Sequence, residues 1–391
     1  VIGIWQSYWI SLTSIIRDRS VLLLIIIGPI VYSLYYPFPY SPEVLREIPV
    51  AVADLDNSSL SRQLVRLADA SPDIEVTRVV SNPAELKQAL WDGSIQGGLI
   101  IPRGFRRSVL RGETVNPVIL GNGAYFMFNR SEILGFAGAA QALSSELGRR
   151  HQLTGSVSVV KAIEQGQPIR LDLRAASNPI GGYSTYVVPA VAVVVLQQTL
   201  LLGICLLLGT WRESGAPFDL KPRRNRMGLV LAAASICFIN ALYYVGLVYW
   251  REDYPHLGKL QDLLPVIAVF SLTAGAWAVA VGSFIRYREQ AVLHLLPTTI
   301  PIIFLAGFAW PVELIPTPLL ALGFLIPSSA GIQAFLNVDQ MGADLSQVLP
   351  ELLSLLILCG GALALVIAKK HWPARIKDQF INDNQEHNKG E

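Results

Sequence analysis

The chain has 391 residues, of which 52% are hydrophobic and only 15% charged, with a mean hydropathy of +0.44. Soluble proteins carry about 25% charged residues, so these proportions exclude an ordinary soluble protein and indicate an integral membrane protein. The net charge of +2 decides little, because position and not the sum of Lys and Arg is informative in membrane proteins; no nucleic-acid partner is expected.

Ile2, Trp5, Trp9, Leu12 and Ile16 recur at spacings of three and four, with Gln6, Ser7, Thr13 and Ser14 between them. This pattern predicts an amphipathic helix within residues 1–20. Too polar to span and followed by Arg17, Asp18 and Arg19, it is expected in the membrane interface with its tryptophans at headgroup level. The other reading is a plain cytosolic extension of the first span. No signal-peptide pattern precedes the apolar run of residues 21–40, which is read as a retained first span, kinked at Pro29 and ending in interfacial tyrosines.

Residues 41–182 have a soluble composition and form a separate domain. The run 48–56 reads as a buried strand leading to Asn57 or Ser58 as helix N-cap, after which Leu60, Leu64 and Leu67 recur at helical spacing. A strand at 74–80, a helix at 83–91, a strand at 97–102, a short basic helix at 104–112 and a strand at 115–120 follow. Strands alternating with helices predict an α/β sheet. A long helix over about 125–151 and an extended piece at 169–175 complete it.

A membrane domain is expected over 183–370, with spans at 183–210, 228–250, about 264–285, from about 291, and 349–368. With the first span this makes six transmembrane helices, and 371–391 is a polar tail. Cys205, Cys237 and Cys359 all lie in apolar runs, so neither a disulfide framework nor a metal cluster is expected. Between 297 and 331 prolines at 301, 311, 316, 318 and 327 interrupt two apolar runs, each short of the roughly 20 residues of a simple span. Broken apolar backbone is tolerated only where protein or a water-filled cavity satisfies it, which suggests a helix followed by a re-entrant hairpin at about 311–331. One kinked helix with an interfacial loop is the alternative.

Lys and Arg mark the orientation. If the N-terminus is cytoplasmic, the inner segments hold Arg17, Arg19, Arg212, Lys221, Arg223, Arg224, Arg226, Arg286, Arg288 and the cluster from Lys369 onward, while the short outer loops hold only Arg251 and Lys259. The hairpin then belongs to the outer face and residues 41–182 lie outside the cytoplasm, in a bacterium the periplasm.

No catalytic constellation emerges: the five histidines are scattered, and neither HExxH, CxxC, GxSxG nor GxxxxGK[ST] occurs. The chain is not expected to hydrolyse ATP. Gln197, Gln198 and Asn240 are polar residues within spans and have two readings, a lined pathway or interhelical hydrogen bonds worth about 0.6–2 kcal/mol each. The basic loop 211–227 also has two readings, a topology signal or a docking element.

IPVAVADLDNSSLSRQLVRLADAS (48–71), GLIIPRGFRRSVLRG (98–112) and FLAGFAWPVELIPTPLLALGFLIPSSAGIQAFLNVDQMGADL (304–345) together resemble the membrane subunits of ABC-2 type transporters, in the drug-export-like branch with a large external domain. The resemblance implies a permease without enzymatic activity or a cofactor of its own, ATP and Mg being bound by a partner ATPase. It further implies pairing with a second permease copy or paralogue, and in some members a periplasmic adaptor and an outer-membrane channel. The ATPase would dock on the N-terminal helix (Trp5, Trp9) and on Trp211, Arg212, Glu213, Phe218, Asp219, Arg223, Arg224 and Arg226. Gly307, Trp310, Pro311, Glu313, Pro316 and Pro327 would form an outer gate. The expected activity is export of a hydrophobic or amphipathic substrate; the alternative is a membrane-anchored receptor or scaffold.

Overall fold

The computed structural model describes residues 3–40, 45–111, 113, 115–121, 126–153, 182–310, 314–370 and 372. The chain divides into two compact units, Val1–Glu43 with Ala175–Glu391, and Val44–Arg174.

The first unit is helical. α1 (Ile4–Arg17) ends at Asp18, whose extended backbone turns the chain and whose carboxylate accepts from Ser20 N at 3.0 Å and Val21 N at 3.3 Å, capping α2 (Arg19–Tyr40). After the second unit come α7 (Tyr183–Ser214), α8 (Arg223–Arg251) and α9 (Leu260–Gly282); α14 (Leu345–Ala368) is the last helix among the described residues. The most apolar stretch of α7 is 89% buried, against 28% for α2 and for α14. α7 is therefore the axis on which the other helices pack, and α2 and α14 keep broad apolar surfaces outward.

These five helices, α2, α7, α8, α9 and α14, are long and apolar enough to cross a membrane. The fifth expected span departs from the sequence reading. From about residue 291 the chain forms α10 (Arg288–Leu295), a 3-10 turn (Leu296–Thr298) and α11 (Thr299–Leu305), of 8, 3 and 7 residues. Pro297 and Pro301 supply no backbone N–H to a continuous helix, and Gly307, at φ 80°, takes the chain out of it. α12 (Thr317–Gly323) and α13 (Pro327–Gln340) then meet at 83°, and among the described residues there are six candidate spans only if this bent pair counts as one. The loop between α7 and α8 is also shorter than expected. α7 continues to Ser214, and Pro222 begins α8 at Arg223.

In the second unit β1 (Ile48–Asp54), β2 (Ile74–Val80), β3 (Gly97–Ile101) and β4 (Val118–Gly121) form one sheet in the order β2-β1-β3-β4. β1 pairs in parallel with β2 and β3, and β4 runs antiparallel to β3. α3 (Ser59–Asp69) starts at Ser58, whose Oγ accepts from Ser61 N, and buries Leu60 and Leu64 on Ile48, Val50 and Val52 of β1. α4 (Pro83–Trp91), α5 (Phe105–Leu110) and α6 (Phe126–Leu153) complete the unit. Leu86 of α4 packs with Ala51 and Ala53, while Phe136 and Leu143 of α6 share the other core. The expected extended piece at 169–175 lies outside the described residues.

Candidate functional site

One end of the helical unit gathers its basic residues. There α1 lies against α8, burying Ser7, Ser11 and Ile15 and leaving Trp5 and Trp9 64% and 49% exposed. Its seat is Gly228, where a Cβ would fall 2.6 Å from Ser7 Cβ and 2.8 Å from the Ile4 carbonyl. The packed face is thus small and polar, and the aromatic face points outward, as an interfacial helix requires.

Asp18, between α1 and α2, meets Arg288 at the start of α10 at 2.9 and 3.2 Å. Arg288 also donates to Thr210 Oγ1 at 2.6 Å, and its backbone N–H donates to Glu213 Oε1 at 2.7 Å. Partial burial opposes ionisation of Asp18. The Arg288 hydrogen bond and the amides of Val21 and Ser20 outweigh it, so its carboxyl titrates below the ordinary range.

The expected docking residues divide. Trp211 and Phe218 are 5% and 0% exposed and meet edge to face at 5.6 Å. They fold the connection onto the chain's own core, which corrects the expectation that they anchor a partner. Arg226 is corrected likewise: it is buried, and its guanidinium donates to the carbonyls of Val366 at 2.7 Å, Ile367 at 3.3 Å, Lys369 at 3.0 Å and Lys221 at 3.0 Å. The last carbonyls of a helix have no partner within it, and Arg226 supplies one to α14. Arg212 is partly buried and donates to Ser283 O at 2.6 Å. Asp219 accepts from Lys221 N at 2.9 Å. Glu213, Arg223 and Arg224 are exposed.

At the other end the loop after α8 is tied to α13 and the segment that follows it. Leu257 N and Gly258 N donate to Asp339 O, His256 Nδ1 lies 3.0 Å from Asp339 Oδ1, and Lys259 pairs with Asp344 at 3.1 Å. The Tyr186 hydroxyl donates to Phe308 O, beside Gly307. Of the expected gate residues, Trp310 is 51% exposed, Pro316 precedes α12, and Pro327 is buried at the first position of α13. Pro311 and Glu313 lie outside the described residues.

The three polar span residues expected as pathway candidates make interhelical hydrogen bonds, the second of the two readings. Asn240 Nδ2 donates to Ile25 O at 2.7 Å, the carbonyl that Pro29, lacking an N–H, leaves without its usual helical donor. Gln340 does the same at Pro189, donating to Thr185 O, four residues before it, at 3.2 Å. Gln197 Oε1 accepts from Ser328 N at 2.6 Å and caps α13, and Gln198 donates to Thr299 Oγ1 at 3.0 Å. Sequence reading missed this pairing of amides with prolines, and it missed the Asp18–Arg288 clamp. Asp18, between two helical patterns, carried an N-cap signal; nothing local marked Arg288.

The sequence model of a family described as "ABC-2 family transporter protein" matches residues 19–368. The chain belongs to this family. Among similar proteins are the "Probable multidrug ABC transporter permease YbhR" of Escherichia coli K12, 21% identical over 337 residues covering 83% of this chain and 86% of that protein, and the "Inner membrane transport permease YhhJ" of the same strain, 23% identical over 372 residues covering 90% and 92%. As an ABC-2 permease the chain is a multi-pass transmembrane transport protein, and membrane subunits of this family are generally not catalytic.

Proposed function

We propose that this ABC-2 permease is the membrane subunit of an ATP-driven exporter, moving a hydrophobic or amphipathic substrate out of the cytoplasm or the inner membrane. A separate ABC subunit binds ATP and Mg and docks at the basic end. The observation that carries this reading is the juxtaposition at that end: α1 seated on Gly228, its tryptophans outward, one turn beyond the exposed Arg223 and Arg224. The names of YbhR and YhhJ, a multidrug permease and an inner membrane transport permease, support export across an inner membrane. Lys and Arg counts support cytoplasmic termini and a periplasmic unit at 41–182. A second permease, identical or paralogous, completes the path, and an adaptor and outer-membrane channel extend it where the envelope contains them. ATP binding then shifts the permease pair between two states through contacts that differ between them.

The test is co-purification of the chain with an ABC ATP-binding subunit of the same genome, followed by vanadate-sensitive ATP hydrolysis in nanodiscs. A complex whose hydrolysis depends on the permease is expected. Charge reversal at Arg223→Glu with Arg224→Glu is expected to reduce co-purification about tenfold, the size of one lost charged contact, with expression unchanged. Absence of both complex and hydrolysis overturns the reading.

A further inference from the structure

The bent pair α12–α13, the end of α11 and residues 350–354 of α14 enclose a cavity of about 190 Å³. Leu305, Leu320 and Phe324 give it apolar walls, and Ser329, Gln333 and Glu351 contribute polar groups. Phe324 is 57% exposed, so the cavity reaches the surface of the helical unit beside it.

Two polar atoms in this cavity, Glu351 Oε2 and Ser329 Oγ, are shielded from solvent and have no hydrogen-bond partner among the described residues. The regular α-helical part of α14 starts at Leu349, and Glu351 in its first turn caps no N–H there. A buried carboxylate oxygen without a partner is costly, and the surrounding sequence provides no cation for it: from residue 289 to 368 there is no Lys or Arg. A cationic donor entering the cavity would supply the partner that Glu351 Oε2 lacks.

We propose that this cavity binds the ammonium head of an amphiphile. Glu351 is the counter-charge, Ser329 and Gln333 are hydrogen-bonding groups, and the alkyl tail leaves past Phe324 into the bilayer. An apolar cavity of roughly 150 Å³ accepts benzene, so 190 Å³ holds an ammonium with its first few methylenes and no more. Phosphatidylethanolamine and a free lipophilic amine present the same chemistry. Whether a bound amine is also exported rests on the function proposed above; its binding does not.

The test uses the full chain in phosphatidylcholine nanodiscs, without an ATP-binding subunit, and radiolabelled decylammonium as probe, so that its failure is separable from failure of the export reading. Saturable binding is expected for decylammonium and not for decanol. Glu351→Gln should weaken it about tenfold or more, as loss of a charge-assisted hydrogen bond does. Ser354→Phe, which fills the cavity and keeps the carboxylate, should abolish it. If Glu351→Gln does not fold, the decanol comparison and Ser354→Phe still decide. Discs enriched in phosphatidylethanolamine separate the sources: competition identifies the lipid head as occupant, and undiminished binding identifies the free amine. Equal binding of decanol, or unaltered binding in both variants, overturns the proposal.

Discussion

A guanidinium buried at the start of one helix and bonded to the last carbonyls of another leaves little room for substitution, because removing it strands several acceptors together. Arg226→Ala removes four donations, to Val366, Ile367, Lys369 and Lys221, and is expected to cost about 3 kcal/mol. Thermal unfolding of the purified chain in nanodiscs measures this, and Arg224→Ala, exposed and two residues away, should leave the midpoint unchanged. The Asp18–Arg288 clamp has a pH signature. A carboxyl whose folded pKa is depressed contributes stability that is present above its unfolded value and lost as pH falls through the folded one. The wild-type midpoint should therefore fall below about pH 4, and that part of the fall should be absent in Asp18→Asn. Sequence reading grouped Arg226 with Arg223 and Arg224 because all are basic and adjacent. What separates them is a contact 140 residues away, which no local pattern records.

At the scale of elements, local chemistry and long-range contact divide the chain differently. In the second unit local pattern was legible: strand β2 at 74–80 and helix α4 at 83–91 fall where they were expected, and the Asn82 cap before Pro83 fixes the start of α4. Alternating apolar residues and caps act within a few positions, so periodicity suffices. The helical unit was legible in its long apolar runs and much less in its breaks. π-helical turns at Leu23–Ile27, Tyr243–Val248 and Leu336–Gln340 have no periodic signature, and the fifth expected span divides because prolines and Gly307 outweigh its hydropathy. α1 shows the converse, since its aromatic spacing marked the outward face but not the small-residue seat. Gly228→Val should lift α1 from α8, as its first new carbon already meets Ser7 and the Ile4 carbonyl. Proteolysis near Asp18 should then quicken and docking of the ATP-binding subunit weaken, whereas Gly246→Val, at a position open within 4 Å, should change neither.

For the molecule as a whole, charge separates the two ends of the helices, and the amides of Asn240, Gln197 and Gln198 join them in between. The basic end is bound into one piece by Arg226, Arg288 and the Lys369 ammonium over the Phe284 ring at 3.4 Å. The opposite end carries Asp339 and Asp344 with His256 and Lys259. The contacts to carbonyls that prolines leave without a helical donor set an order of synthesis. Ile25 receives its donor from Asn240, 215 residues later, and Thr185 from Gln340, 155 residues later. Spans enter the bilayer as they are made, so the first waits through the whole of residues 41–182 before the side chain that completes its bend exists. An incompletely bonded carbonyl in lipid costs several kcal/mol. Nascent chains halted at residue 215 should therefore leave the first span open to a membrane protease, and chains halted at residue 260 should close it, making the third span the step at which the newborn permease escapes quality control.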